Sequence, residues 1–225
     1  TTLLSCVASR IPKTSRILVI EDASELQINA NHVVYFETKA ANDFGKGAVT
    51  MRDLLKSSLR LRPDRIIVGE VRGAEALDLI SAMNTGHGGS MGTVHANTPV
   101  ETMVRLETLA MMTDTQVPVT AIRAQIGSAI NIIICTARLY DGSRRIMQIS
   151  EVLGIDDLGR YVTKDIYRFV QKGRTADGTI IGEMLPTGNI PSFYEEIERN
   201  NIPFPKSKFN PDVKTLEEED PSSMS

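Results

Sequence analysis

The chain has 225 residues, 41% of them hydrophobic and 24% charged, which is ordinary globular composition and enough for one large or two small domains. A net charge of −3, with Lys and Arg scattered among acids, disfavours a nucleic-acid binder, whose phosphate contacts need clustered cations. No run approaches the roughly 18 apolar residues of a membrane span, and no secretory signal opens the chain.

Residues 1–9 carry helical apolar spacing up to Pro12, with no initiator Met. Arg16-Ile17-Leu18-Val19-Ile20 reads as a buried strand that ends on Glu21-Asp22, with Glu25 close behind. His32–Glu37 is a second strand, and 40–49 is a polar loop. Its Gly45-Lys46 pair is not a phosphate loop, because Gly47 stands where GxxxxGK[ST] needs Ser or Thr. Thr50 and Asp53 form a variant capping box for a helix through Leu54, Leu55 and Leu59. Arg52, Arg60 and Arg62 lie on or just past that helix. Pro63-Asp64 then turn into Arg65-Ile66-Ile67-Val68-Gly69-Glu70-Val71-Arg72, a short β-branched run expected to be a buried parallel strand.

Ala74–Met83 predicts an apolar helix stopped by Asn84-Thr85-Gly86, and a glycine-rich turn leads to a strand at Thr93-Val94-His95. Thr98-Pro99-Val100-Glu101 is a strong helix start, continuing through Met103, Leu106 and Leu109. A helix over 119–129, a strand over 130–139, a tight turn at Asp141-Gly142, a returning strand over 146–153 and a third strand over 160–170 complete the pattern. Cys6 and Cys135 belong to no CxxC pair and read as small core hydrophobes in a reducing compartment, the cytoplasm.

Three strand ends in succession carry chemistry: Glu21-Asp22, Glu70 and His95. Right-handed crossovers would bring them to one edge of a parallel sheet, where α/β proteins bind ligands. Carboxylates there suit Mg²⁺ and an attacking water, and an imidazole can donate to a terminal phosphate.

The motifs Ile20–Leu26, Ile66–Arg72 and Gly92–Pro99 resemble the acidic box, Walker B and histidine box of the type II/type IV secretion ATPases. Thr50–Leu54, Leu59–Asp64, Met83–Ser90 and Asp141–Arg145 bring the resemblance closest to the Flp/Tad pilus assembly branch, over roughly residues 1–205. The resemblance implies an α/β fold: a RecA-like P-loop NTPase core with a mostly parallel sheet, plus a carboxyl-terminal antiparallel hairpin region. It implies a core with its carboxyl-terminal strands over 1–175, an extension over 176–205, and, from composition, a disordered acidic tail over 206–225. It further implies a homo-hexamer using ATP and Mg²⁺ to power pilus assembly or secretion. Such a motor sits at the cytoplasmic face of the inner membrane, against membrane platform proteins. By position Glu70 is the catalytic carboxylate, with Glu21 tuning Mg²⁺ and water alongside Asp22 and Glu25, and His95 sensing the terminal phosphate. Both Glu21 and Glu70 would approach Mg²⁺ directly or through water. Arg60, Arg62 and Arg72 are candidates for linking nucleotide state to a neighbouring subunit.

Thr1-Thr2-Leu3-Leu4 resembles the second half of the family's phosphate loop, which makes Thr1 the Mg²⁺-binding hydroxyl with Thr2 beside it. The glycines, the Lys and the strand before them are not in this sequence, so an amino-terminally truncated core with negligible turnover and poor solubility is expected. A non-catalytic assembly subunit and a RecA-like nucleic-acid translocase are the alternatives.

Overall fold

The computed structural model describes residues 1–113 and 116–212, divided into two compact units. The first comprises Thr1–Asn131 and Leu153–Val162, the second Ile132–Val152 and the chain from Thr163 onward.

In the first unit the elements run α1 (Thr2–Ala8), β1 (Arg16–Glu21), β2 (His32–Glu37), α2 (Met51–Ser58), β3 (Arg65–Val68), α3 (Glu75–Asn84), β4 (Met91–Gly92), α4 (Pro99–Ala110) and α5 (Val119–Ala129). The sheet order is β2-β1-β3-β4, every pair parallel. The two central strands are continuous aliphatic runs because both their faces are covered. Ile17, Val19 and Ile67 join Leu4, Ala8, Ile11, Leu26 and Ile28 in one cluster on the α1 side. By the two-residue period of a strand, Leu18, Ile20, Ile66 and Val68 point to the other face, and they too are fully buried. Each such side chain contributes about 2 kcal/mol of burial.

Local chemistry sets the helix starts. The Thr50 side chain accepts from the Asp53 N–H and the Asp53 carboxylate accepts from the Thr50 N–H, a complete capping box. At α4 the Thr98 hydroxyl accepts from the Glu101 N–H, but the Glu101 carboxylate reaches one residue further back, to the Asn97 N–H at 3.1 Å. Beyond α2 the chain tightens into a 3₁₀ turn, Leu59–Leu61, and Arg62 takes a left-handed φ of 53°.

The second unit holds β5 (Ile132–Arg138), β6 (Arg144–Ile155), β7 (Tyr161–Arg174), β8 (Ile180–Pro186) and α6 (Tyr194–Arg199), in the sheet order β5-β6-β7-β8, with the far end of the β6–β7 hairpin belonging to the first unit. β5 with β6 and β7 with β8 are antiparallel. The Asp141 carboxylate ties the β5–β6 turn by accepting from the Ser143 N–H (2.9 Å) and from the Ile180 N–H (2.7 Å). Gly182 leaves room for a ring: a Cβ there would meet Phe169 Cζ at 2.4 Å. Ile166, Tyr194 and Phe209 form this unit's small core, the two rings edge to face at 5.6 Å.

Three sequence expectations change, and one segment carries elements for which the sequence reading had no expectation. The strand expected at Thr93–His95 is instead Met91–Gly92, because only those residues pair with Ile67 and Val68. Cys6 is exposed rather than in the core, since α1 turns Leu4 and Ala8 inward; Cys135 is buried. The extension carries β8 and α6, which no periodicity announced. At the start of the expected disordered tail, Lys206–Phe209 forms a 3₁₀ turn with Phe209 buried; the acidic run Leu216–Asp220 lies outside the described residues.

Candidate functional site

Parallel register places Glu21 beside Glu37 and Val68 beside Gly92, so Glu21, Glu70 and His95 all lie at or just beyond the carboxyl edge of one sheet. Glu70 is the hub. Its Oε2 accepts from Arg72 Nη2 at 2.5 Å, and its Oε1 is 3.1 Å from His95 Nε2. The Glu70 side chain is 21% exposed, against 63% for Arg72 and 88% for His95. The hydrogen bond from Arg72, outweighing partial desolvation, holds the Glu70 carboxyl below the usual range, and the same contact raises Arg72. Arg72 Nη1 also reaches Asp22 Oδ2 at 3.3 Å, and Asp22 Oδ1 accepts from the Thr38 hydroxyl at 3.1 Å.

Glu21 plays a different part. Its side chain is buried, and its Oε1 accepts from the N–H groups of Glu25 (3.2 Å) and Leu26 (3.0 Å), folding the chain after β1 around itself. The Glu21 stem lies over Gly69, where a Cβ would sit 2.9 Å from Glu21 Cγ. That close approach explains the Gly-Glu pair at the end of β3. The Thr1 hydroxyl donates to Glu25 Oε2 at 2.9 Å, which brings the start of α1 to the same edge; Thr2, the first residue of α1, is exposed.

The structure therefore brings together Thr1, Glu21, Asp22, Glu25, Glu70, Arg72 and His95. It does not bring Arg60 and Arg62 to them. Both are exposed, in the turn that leads into the amino end of β3, so the length of that strand separates them from Glu70.

Three supporting residues escaped the sequence reading. Thr93, just past β4, donates its hydroxyl to the Gly69 carbonyl at 2.5 Å and its own carbonyl accepts from the Val71 N–H. Thr38 holds Asp22. Glu75 accepts from the N–H groups of Arg72 (2.7 Å) and Gly73 (2.8 Å), fixing the backbone from which Arg72 projects. An acid in the first turn of a helix after Arg-Gly was the available signal for Glu75; Thr38 and Thr93 had none.

Among the described residues no three His, Cys, Asp or Glu side chains converge to hold a metal ion by themselves. The donors present are hard oxygens, a hydroxyl and carboxylates, which suits Mg²⁺ held by one or two protein groups and completed by phosphates and water. Arg72 and His95, both open to solvent, offer the N–H donors an anionic ligand needs. The cluster fits a magnesium-bound phosphate ligand. Among the described residues no helix is long and apolar enough to cross a membrane.

Residues 1–176 match the family described as type II/IV secretion system protein. The chain is 43% identical over 185 residues to the putative conjugal transfer protein Rv3659c of Mycobacterium tuberculosis, covering 82% of this chain and 51% of that protein. It is 34% identical over 157 residues to the type IV secretion system protein VirB11 of Brucella suis biovar 1, covering 68% of this chain and 43% of VirB11. The chain thus spans about half the length of these relatives. The crystal structure of the Brucella suis VirB11 ATPase in complex with sulphate superposes with a TM-score of 0.59 at 30% identity, over 67% of this chain and 44% of that one. The RecA-like α/β core expected from the motifs accords with this likeness, and the chain belongs to the type II/IV secretion system protein family, whose members include ATPases.

Proposed function

We propose that the chain is the catalytic portion of an ATPase that powers pilus assembly or protein secretion, working as a homo-hexamer against inner-membrane platform proteins at the cytoplasmic face. Its motifs resemble most closely those of the Flp/Tad pilus assembly branch, which supports pilus assembly as the process served. The observation that carries this reading is the meeting of Glu70, Arg72, His95 and Asp22 at one sheet edge, with Glu21 buried beneath. Bound Mg²⁺-ATP would supply the transferable phosphoryl group and the cation that neutralises its charge.

The chain's own residues do the rest. Glu70, whose carboxyl the Arg72 hydrogen bond holds below the usual range, accepts a hydrogen bond from the attacking water and orients it. His95 Nε2, mostly in solvent and 3.1 Å from Glu70, is placed to donate to the terminal phosphate. Glu21 anchors the loop that carries Glu25, and Glu25 holds the Thr1 hydroxyl; these oxygens are the ones that would help hold Mg²⁺, directly or through water. Arg60 and Arg62, at the far end of β3, are left for contacts with a neighbouring subunit.

In the full-length protein Glu70→Gln should lower hydrolysis by at least about 100-fold while nucleotide still binds. Unchanged hydrolysis would sink the assignment of Glu70.

A further inference from the structure

Four carboxylates, Glu21, Asp22, Glu25 and Glu70, gather at the carboxyl edge of the parallel sheet, and Arg72 is the guanidinium that touches two of them. Its two ends are held differently. Nη2 is 2.5 Å from Glu70, whose side chain is largely shielded, whereas Nη1 is 3.3 Å from Asp22, which is half exposed and steadied by Thr38. The backbone beneath is fixed, because Glu75 accepts from both the Arg72 and Gly73 N–H groups. The side chain above it is 63% exposed and, among the described residues, is held by its ion pairs to Glu70 and Asp22. It is a long lever on a rigid base. In this arrangement the guanidinium occupies Glu70 Oε2, one of the two oxygens a water would need, while His95 stands at the other.

We infer that Arg72 is a gate on Glu70: it releases the carboxylate to the water when the terminal phosphate of a nucleoside triphosphate enters and offers the guanidinium a stronger anion. With the Arg72 end of both ion pairs 63% exposed, they shift an equilibrium by only about two- to fivefold. A phosphate in bidentate range of an arginine outcompetes them. A diphosphate, lacking the terminal group, leaves Arg72 on Glu70. The gate thus couples readiness of the water-orienting carboxylate to the presence of the third phosphate. This inference rests on the reading of Glu70 as that carboxylate.

The test is a binding cycle on the full-length protein: equilibrium titration of AMPPNP and of ADP to the wild type, Glu70→Gln, Arg72→Gln and the double variant. Glu70→Gln frees the guanidinium, so AMPPNP should bind about two- to fivefold tighter while ADP affinity stays unchanged. In the Arg72→Gln background Glu70→Gln should no longer tighten AMPPNP. Retained ADP affinity in all four proteins shows that each site is folded. The gate is overturned if Glu70→Gln tightens AMPPNP equally with and without Arg72, since charge removal alone would then explain it. It is equally overturned if ADP tightens in parallel, or if nothing tightens. Should Arg72→Gln lose ADP binding, Arg72→Lys carries the same cycle, because it keeps the charge and loses the fork. The hydrolysis rate of Glu70→Gln is read independently: full turnover there removes the role of Glu70 itself, whatever the cycle reports.

Discussion

Alanine at Gly69 would set a Cβ 2.9 Å from Glu21 Cγ and 3.5 Å from Glu21 Cβ and Oε1. Carbon atoms rest at about 3.5–4.0 Å, so the nearest contact is short by more than half an ångström. Glu21 has nowhere to go. Its backbone is locked between β2 and β3, its side chain is 4% exposed, and its carboxylate is tied to the Glu25 and Leu26 N–H groups. Relief therefore means pulling the carboxylate off those two donors, on top of an overpacking strain of about 1–3 kcal/mol. The bonds to a charged acceptor add about 1.5 kcal/mol or more if only one is lost. Alanine in place of glycine returns about 0.5–1 kcal/mol by restricting the unfolded chain. The net expectation is a loss of about 2 kcal/mol, read from urea unfolding at pH 7. In a Glu21→Ala background the obstacle is gone, and Gly69→Ala should become neutral or slightly stabilising. A cost that is the same in both backgrounds, or a change within about 0.5 kcal/mol of zero in the wild type, would refute the packing argument.

Other outcomes follow from contacts inside each unit. Glu107 is buried on α4, takes a fork from Arg123 at 2.8 and 2.9 Å, and accepts from the Tyr161 hydroxyl at 3.0 Å. Glu107→Ala strands that cluster and should cost about 3 kcal/mol in the same unfolding assay; a cost below about 1 kcal/mol would show the cluster to be ornamental. The Ile180 N–H, seconded by Ser143, lowers the Asp141 carboxyl to about 2 from its ordinary 3.8. Its folded value is depressed, so the stabilisation is complete above the unfolded value and is lost as pH falls from about 4 toward about 2. Asp141→Asn should accordingly flatten the acid loss of stability in that window; identical pH profiles for the two proteins would contradict the contact. Thr50→Ala removes a complete capping box and should lower stability by about 1 kcal/mol, measured alongside the loss of helical circular dichroism on heating.

Much of the first unit was legible without coordinates. The runs around Leu18 and Ile67 could only be doubly covered strands, because they offer no polar face. The Thr50 and Thr98 caps are local codes, satisfied within four residues, and both formed. The second unit was harder to read. β8 and α6 have short, weakly periodic sequences, and what holds α6 is a tertiary cluster of Ile166, Tyr194 and Phe209 whose members are far apart in the chain. Cys6 was misplaced because a seven-residue amphipathic turn does not announce which of its small residues faces out.

The same division runs through the site. The sequence by itself determined that acids and a histidine stand at the ends of successive strands, since a strand's direction and length follow from its own residues. Only the tertiary structure decided how they divide the work. Glu21 is buried and spent on backbone amides, while Glu70 is shared between Arg72 and His95. Arg60 and Arg62, which sit closer in sequence to Glu70 than His95 does, end at the other extremity of β3. The physical reason is that a strand separates its two ends by about 3.3 Å per residue, whereas parallel pairing brings the ends of different strands within hydrogen-bonding range.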